Sequence, residues 1–229
     1  MNFLAHHVLA TRFLTPINPL PMYVVGSTLP DLLPLAARRL RLRPALVERQ
    51  PAPTADEEAL RAGVLVHLAT DTAFHKTAAF AEAQAEVSQI LAQTPFGGIR
   101  VRRFFVAHVL VELALDAVLL RRDTTVADDF YRAFAAADHA DVTRWMEAVV
   151  GQPLPDLHTV LARFAGSRYL YQYREDEGVA TGLSRLCVRA RQDTFEGENF
   201  ARLVAVVGQT VAALKGQTEA LLGETRAKL

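Results

Sequence analysis

The sequence predicts an all-α fold, a single-domain helical bundle spanning residues 1–229, and three observations support this. Apolar residues recur at the helical spacing of three to four in almost every long stretch. No stretch of four to eight residues alternates apolar and polar side chains, and no Asn-Gly hairpin turn occurs. Residues 99–121 are apolar on all sides, which predicts a helix at the centre of the bundle.

Prolines and capping residues divide this pattern into elements. The segment TPINPLP, residues 15–21, contains three prolines and predicts a loop. Residues 38–54 contain five arginines and three prolines and predict a surface loop. Thr54 or Asp56 is expected to cap the next helix, with Glu57 in its first turn. In the first half of the chain the predicted helices span 2–13, a short stretch from 22 towards 31, 55–80 leading into 81–93, and 99–121. In the second half, one or two helices are predicted within 124–150, followed by helices over 156–173, 178–191 and 196–222. Asp156 is expected to cap the helix over 156–173.

Composition and charge exclude several classes of protein. The chain has 229 residues, 51% of them hydrophobic and 22% charged, which is typical of a globular domain rather than a disordered chain. Twenty-five basic residues balance twenty-five acidic ones, so no overall field favours nucleic acid. The single cysteine, Cys187, excludes an internal disulfide and is expected to pack in a helix. The start of the chain lacks the features of a signal peptide, and no apolar run is long enough to span a bilayer, so we expect a cytoplasmic protein without a membrane span.

Side chains that bind metals recur at a four-residue step. His67, Asp71 and His75 follow one another at this spacing, and His108 and Glu112 repeat it. Residues four apart share one face of a helix, so each stretch can direct an imidazole and a carboxylate to the same point. Two such helices packed together predict a centre for one or two divalent ions.

Two further candidates precede these helices. His6 and His7 are adjacent and cannot both face one site, and His6 is preferred because it shares a stripe with Phe3 and Ala10. Asp31 is interpreted either as a metal ligand or as the N-cap of a following short helix.

Each of these side chains also has a structural explanation. A single histidine on an apolar helix is commonly a hydrogen-bonded core residue. The carboxylates of Asp71 and Glu112 lie in apolar runs and could pair with an arginine instead of an ion. Asp116 could orient an imidazole or pair with Arg121 or Arg122. The candidate partners of the two carboxylates are Arg61, Arg100, Arg102 and Arg103.

Other chemistries lack support in the sequence. The glycine-rich phosphate-binding motifs and the nucleophile motif G-x-S-x-G do not occur. His139 and His158 lie at polar helix ends and are expected on the surface. The basic run RRLRLR, residues 38–43, is interpreted as a solvated loop or as a surface for an acidic partner.

Several motifs resemble the acyl carrier protein phosphodiesterases. The opening MNFLAH, residues 1–6, resembles the start of that family, and GSTLPD, residues 26–31, resembles its glycine followed five residues later by aspartate. The stretches 67–75 and 108–112 resemble its later metal-binding motifs, and residues 170–191 resemble its tyrosine-arginine-acid segment and the helix after it. The resemblance covers most of the chain in the same order.

This resemblance implies an all-helical fold related to the HD-domain phosphohydrolases. Members use Mn²⁺ or a similar ion to cleave the phosphodiester between 4′-phosphopantetheine and a serine of acyl carrier protein. His75 and His108 stand where the family has carboxylates, which favours Zn²⁺ or Fe²⁺, and residues 38–54 have no counterpart. The residues that carry over directly are His6, Asp31, His67, Asp71 and Glu112.

The sequence and the resemblance together predict a phosphodiester hydrolase with a metal centre of Mn, Zn or Fe. This centre could hold one ion or two. Asp71 and His75 are the catalytic candidates, with Asp71 bridging two ions or orienting the water. Holo acyl carrier protein or a small phosphoester is the expected partner, and residues 196–222 could form a homodimer. The predicted metal ligands are His6, Asp31, His67, Asp71, His108 and Glu112, and the predicted substrate-binding residues are Arg174, Arg189 and Arg191.

Two alternatives remain at this stage. One is a non-enzymatic helical binding protein whose polar residues form a structural network in the core. The other is a phosphoesterase similar to the helical zinc phospholipase C and P1-type nucleases, although the N-terminal tryptophan ligand of that group is absent.

Overall fold

The structure, a computed structural model, describes residues 1–14 and 21–229. Within these ranges every regular element is helical and no strand occurs, so the all-α prediction is confirmed. The predicted loop at 15–21 lies almost entirely outside the described residues. No helix in the described part of the chain is both long and apolar enough to cross a membrane.

Twelve α-helices follow one another along the described residues, 1–14 and 21–229. A π-helical segment at Leu9–Leu14 extends the first of them, and a 3-10 helix at Tyr169–Arg174 precedes the eleventh. In chain order the α-helices are α1 (Phe3–Val8), α2 (Pro21–Gly26), α3 (Leu29–Ala36), α4 (Pro44–Glu48), α5 (Ala55–Phe74), α6 (Ala78–Gln93), α7 (Arg103–Arg122), α8 (Thr125–Ala136), α9 (His139–Val150), α10 (Leu157–Ser167), α11 (Asp176–Arg189) and α12 (Gly197–Arg226).

One compact unit consists of residues 1–5, 73–124 and 170–228. Its centre is α7, against which α6, α11 and α12 pack. Nearly every side chain of α7 from Val106 to Leu120 is buried, as the apolar character of 99–121 predicts. Cys187 is buried in α11 and burial raises the pKa of its thiol to about 11, which agrees with a packing role.

The other compact unit consists of residues 6–72 and 125–169 together with Leu229. In it α2 packs against α8, and α10 packs against α3, α8 and α9. Residues of α1 and α5 contribute to both units. The single-domain organisation and the likeness to HD domains stay predictions.

The beginning of α5 is as predicted, but its end is not. Thr54 accepts the N–H of Glu57 at 3.2 Å, and the Glu57 carboxylate accepts the N–H of Thr54 at 3.1 Å, which forms a capping box. The predicted continuous helix over 55–80 is wrong, because α5 ends at Phe74. The Thr77 hydroxyl donates to the carbonyl of Phe74 at 2.7 Å and accepts the N–H of Phe80 at 3.1 Å, so one side chain ends α5 and begins α6.

Three local expectations also need correction. Asp31 is not an N-cap, because Thr28 occupies that position and Asp31 lies in the first turn of α3. Residues 38–54 contain the short helix α4, which begins at Pro44, where a fixed φ suits the first turn of a helix. Asp156 is at the N-cap position of α10 but its side chain makes no capping hydrogen bond.

Candidate metal centre

Four predicted ligands form what we call the first cluster: His6, Asp31, His67 and Asp71. Candidate ligand atoms of His6, Asp31 and His67 lie within 4.8 Å of one another. His67 Nε2 is 3.7 Å from Asp31 Oδ1, and His6 Nε2 is 4.0 Å from Asp71 Oδ1. The two imidazole rings stack with their centroids 3.8 Å apart.

Hydrogen bonds on the far side of each ring determine which nitrogen can bind an ion. His67 Nδ1 is 2.8 Å from the carbonyl oxygen of Ser27, which can only accept, so Nδ1 carries the proton. The Thr70 hydroxyl donates to the backbone carbonyls of Val66 and His67, at 2.8 and 3.0 Å, so it accepts from His6 Nδ1 at 2.9 Å. In the neutral form of each ring, Nε2 therefore presents a lone pair.

The side chains of the first cluster could hold a divalent cation. The distances of 3.7 and 4.0 Å between Nε2 atoms and carboxylate oxygens are too long for hydrogen bonds. They exceed, by 0.2 and 0.5 Å, the upper end of the spacing of about 3–3.5 Å expected between neighbouring ligands when each is about 2.1 Å from one ion. His6 and His67 are buried, whereas the side chains of Asp31 and Asp71 are 37% and 40% exposed. An ion held there would be open to solvent on its carboxylate side.

The exposure of Asp71 corrects part of the sequence argument. We expected its carboxylate to be buried in an apolar run and to need a cation for that reason, but 40% of the side chain is exposed. The support for a cation at Asp71 therefore comes from its position beside His6 Nε2 and not from burial.

A close contact between α2 and α5 positions the acceptor of His67. A Cβ atom on Gly63 would lie 2.2 Å from the carbonyl oxygen of Tyr23, and one on Gly26 would lie 2.3 Å from that of Leu60. Only glycine allows the two backbones to approach this closely. Because Gly63 is one turn before His67, this approach brings the backbone at Ser27 next to the imidazole.

The remaining predicted ligands, His108 and Glu112, form the second cluster together with His75, which was predicted as a catalytic residue. Glu112 Oε1 is 3.0 Å from His75 Nε2, 3.2 Å from His108 Nε2 and 3.0 Å from the ammonium nitrogen of Met1. The two rings stack with centroids 4.7 Å apart. Burial alone would raise the pKa of Glu112, but the ammonium group and the two imidazole hydrogen bonds hold it well below its usual value.

The second cluster has the composition of a metal site, and its distances fit hydrogen bonds as well as neighbouring ligands of one ion. Its ligand atoms also lie within 4.8 Å of one another. The contacts of 3.0–3.2 Å place three N–H donors on one carboxylate oxygen, which satisfies these groups without an ion. His75 lies beyond the end of α5, so it does not continue the stripe of His67 and Asp71 as the four-residue spacing predicted.

The predicted ligands thus occur as two clusters, each within a single compact unit. A dinuclear centre that includes both stays a prediction. The alternative of an arginine partner is wrong for Glu112, whose recorded partners are His75, His108 and the ammonium group. Arg61, one of the proposed partners, pairs with Glu58.

Asp116 has a role that neither sequence interpretation anticipated. Its two carboxylate oxygens accept the backbone N–H groups of Leu4 at 3.0 Å and Ala5 at 2.8 Å, so it caps the first turn of α1. Burial raises the pKa of Asp116 to about 7 against the opposing effect of these hydrogen bonds. Arg121 pairs with Asp176, and Arg122 has a different carboxylate partner. The signal in the sequence was an acid within the apolar run of α7 that follows Glu112.

The other histidines lie outside both clusters. His7 is buried with its ring edge against Phe130, and burial lowers its pKa to about 4. His139 is half-buried and its Nε2 donates to the carbonyl of Phe134 at 3.0 Å, so the surface prediction is wrong for this residue. His158 is exposed, as expected.

The three predicted substrate-binding arginines all lie in the unit that contains residues 170–228. The guanidinium of Arg174 lies 5.1 Å from the centroid of the Tyr171 ring, in a cation–π contact. Arg189 is the last residue of α11, and Arg191 follows two residues later with a positive φ of 55°. All three side chains are exposed.

Comparison of the chain with protein-family models, with curated proteins and with solved structures finds no match.

Proposed function

We propose that this protein is a metal-dependent phosphodiester hydrolase whose ion binds at the first cluster. The observation that carries the proposal is the pair of buried imidazoles in that cluster. Each has its Nδ1 committed to a hydrogen bond and its Nε2 beside a carboxylate at a distance too long for one. Two neutral imidazoles and two carboxylates suit Mn²⁺, Zn²⁺ or Fe²⁺, and the two negative charges balance a divalent ion.

The residues of the first cluster would have different roles in such a site. His6 and His67 form its buried side, and their Nδ1 contacts prevent the rings from rotating away. Asp31 and Asp71 face solvent, where a substrate can approach, and Asp71 orients the attacking water. A bound divalent ion would lower the pKa of a coordinated water and offset the negative charge of the phosphoester.

The resemblance of the opening hexapeptide and the later motifs to the acyl carrier protein phosphodiesterases supports a substrate class. We infer that the phosphodiester is the one that joins 4′-phosphopantetheine to a carrier protein. The alternative of a non-enzymatic polar core fits the second cluster, whose donors and acceptor satisfy one another. It does not account for the long contacts of the first cluster.

Metal content and thermal unfolding test the site. Purified protein should contain Mn, Zn or Fe, and an ion at 100 times its Kd should raise the melting temperature by about 5–10 °C for a chain of this size. D31N and H67A should lose this ion, whereas H139A, which changes a half-buried histidine elsewhere, should retain it. An ion content at trace level, with no rise in melting temperature on adding metal, would refute the proposal.

The second cluster provides a test of stoichiometry. E112Q removes the charge of Glu112 but should leave the amount of bound ion per chain unchanged, because the proposed site does not include this residue. Loss of a second equivalent of ion in E112Q would instead show that both clusters bind metal.

Two assays test the reaction. Hydrolysis of bis(4-nitrophenyl) phosphate reports phosphodiester chemistry, and mass spectrometry of holo acyl carrier protein reports loss of the 4′-phosphopantetheine arm. Both activities should disappear in D31N and H67A and persist in H139A. Activity on the synthetic diester without activity on the carrier protein would support the chemistry and contradict the inferred substrate.

A further inference from the structure

Two adjoining cavities lie at the N-terminal end of α7, within the unit formed by residues 1–5, 73–124 and 170–228. Their volumes are about 500 and 400 Å³, in the range of small-molecule sites. Arg100 and Arg102 line both cavities and so connect them. We call this region the arginine cavity. Its other lining residues used below are Arg103, Phe104, Arg191 and Asp193.

The charge of the arginine cavity is strongly positive in a chain whose net charge is zero. Four arginines and one aspartate line it, a formal charge of 4 − 1 = +3. In the described ranges, 1–14 and 21–229, none of the four guanidinium groups forms an ion pair. Some arginines elsewhere do, as Arg132 does with Asp129 at 2.7 Å. Asp193 Oδ2 is engaged by the backbone N–H of Arg100 at 2.6 Å.

The backbone that carries these arginines is held in place. Asn199 donates its side-chain N–H to the carbonyl of Gly97 at 2.8 Å and accepts the N–H of the same residue at 2.9 Å. Arg202 donates to the carbonyl of Pro95, and the ring of Phe96 contacts that of Phe195 edge to face at 5.3 Å. The connection from α6 to α7 is thus fixed to the start of α12, which reduces the entropy lost when a ligand binds.

One large apolar side chain lies beside the charges. Phe104 is 75% exposed, more than any other large hydrophobic residue in the described part of the chain. Burying its ring against a ligand would be favourable, and an aromatic ring suits a planar partner. The unpaired N–H groups of the first turn of α7, where Arg102 makes no side-chain cap, add further donors for an anion.

We propose that the arginine cavity binds a small organic molecule that carries two or more phosphate groups and a planar ring. Guanidinium groups bind phosphate oxygens through paired N–H donors, and four of them exceed what one phosphate requires. Phe104 contacts the ring. None of these residues belongs to the first cluster, so the inference does not depend on the proposed hydrolase activity.

Calorimetric titration of the full chain tests this inference, with ADP as the probe and pyrophosphate as the probe without a ring. The double variant R102Q/R191Q should weaken binding of both by about 100-fold, because each lost charge-assisted pair costs about tenfold. R132Q removes an exposed arginine outside the cavity and should bind as the wild type does. F104A should weaken ADP binding and leave pyrophosphate unaffected. Circular dichroism melting should show that all variants fold, since the substituted side chains are exposed.

Specific results would overturn the proposal. It fails if ADP does not bind, if R102Q/R191Q binds ADP as tightly as the wild type, or if R132Q weakens binding equally. It also fails if an acidic peptide such as polyglutamate binds and neither phosphate compound does, because the surface would then serve a protein partner. D31N must retain ADP binding; its loss there would place the ligand at the first cluster instead.

Discussion

Removal of the Thr70 hydroxyl is the most direct perturbation of the proposed ion site. T70V keeps the shape and branching of the side chain but lacks the oxygen that accepts from His6 Nδ1 at 2.9 Å. Loss of such a supporting contact lowers metal affinity by about 10–100-fold, equivalent to about 1.4–2.7 kcal/mol. Thr70 is 0% exposed and His6 2% exposed, so water cannot replace the hydroxyl and the upper end of this range is expected.

The same helix contains a matched control. The Thr72 hydroxyl is exposed and donates only to the carbonyl of Leu68 at 2.8 Å, so T72V should leave metal affinity unchanged. T70S retains the hydroxyl and should restore most of the affinity lost in T70V. Calorimetric titration with Mn²⁺ and Zn²⁺ measures all three variants. If T70V binds either ion as tightly as T72V does, the assignment of the His6 tautomer and of His6 as a ligand is wrong.

Two further substitutions test the scaffold. The native pKa of Asp116 of about 7 exceeds its unfolded value of 3.8, so the contribution of Asp116 to the free energy of unfolding should fall by up to about 4 kcal/mol as pH rises from about 4 to 7, and D116N should lack this contribution. At pH 5, D116N should be less stable by about 1–3 kcal/mol, because the Asn amide nitrogen cannot accept the N–H of Leu4. If urea denaturation gives the same difference in free energy of unfolding between the wild type and D116N at pH 5 and at pH 7, the expected pH dependence is wrong. G63A places a methyl group 2.2 Å from the Tyr23 carbonyl and should cost several kcal/mol or prevent folding, whereas G216A, which meets no atom within 4 Å in α12, should stabilise the protein by about 0.5–1 kcal/mol. A G63A melting temperature equal to that of the wild type would refute the close contact.

Local signals in the sequence predict most helices because they act within one or two turns. The capping box of Thr54 and Glu57 and the apolar run of α7 are of this kind. The end of α5 was missed because neither glycine nor proline marks it. Thr77 interrupts the helix with a single hydroxyl, and threonine also occurs inside helices, as Thr70 and Thr72 do in α5.

The candidate site was predicted in its residue types but not in its grouping. The four-residue spacing identifies His67 and Asp71, which do share a cluster with His6. Periodicity cannot show which histidines have their Nδ1 occupied, because the acceptor of His67 is a carbonyl 40 residues away along the chain. The same limit concealed the role of Asp116, whose partners are main-chain N–H groups more than a hundred residues distant.

The two imidazoles of the first cluster differ in how easily mutation can disturb them. The oxygen that holds His67 belongs to the main chain at Ser27, so changing that side chain leaves the oxygen in place, provided that the local backbone is kept. The recorded partner of His6 Nδ1 is the side-chain hydroxyl of Thr70, which one nucleotide change could remove. Inherited or selected variants that impair the protein without unfolding it should therefore accumulate on the His6 side.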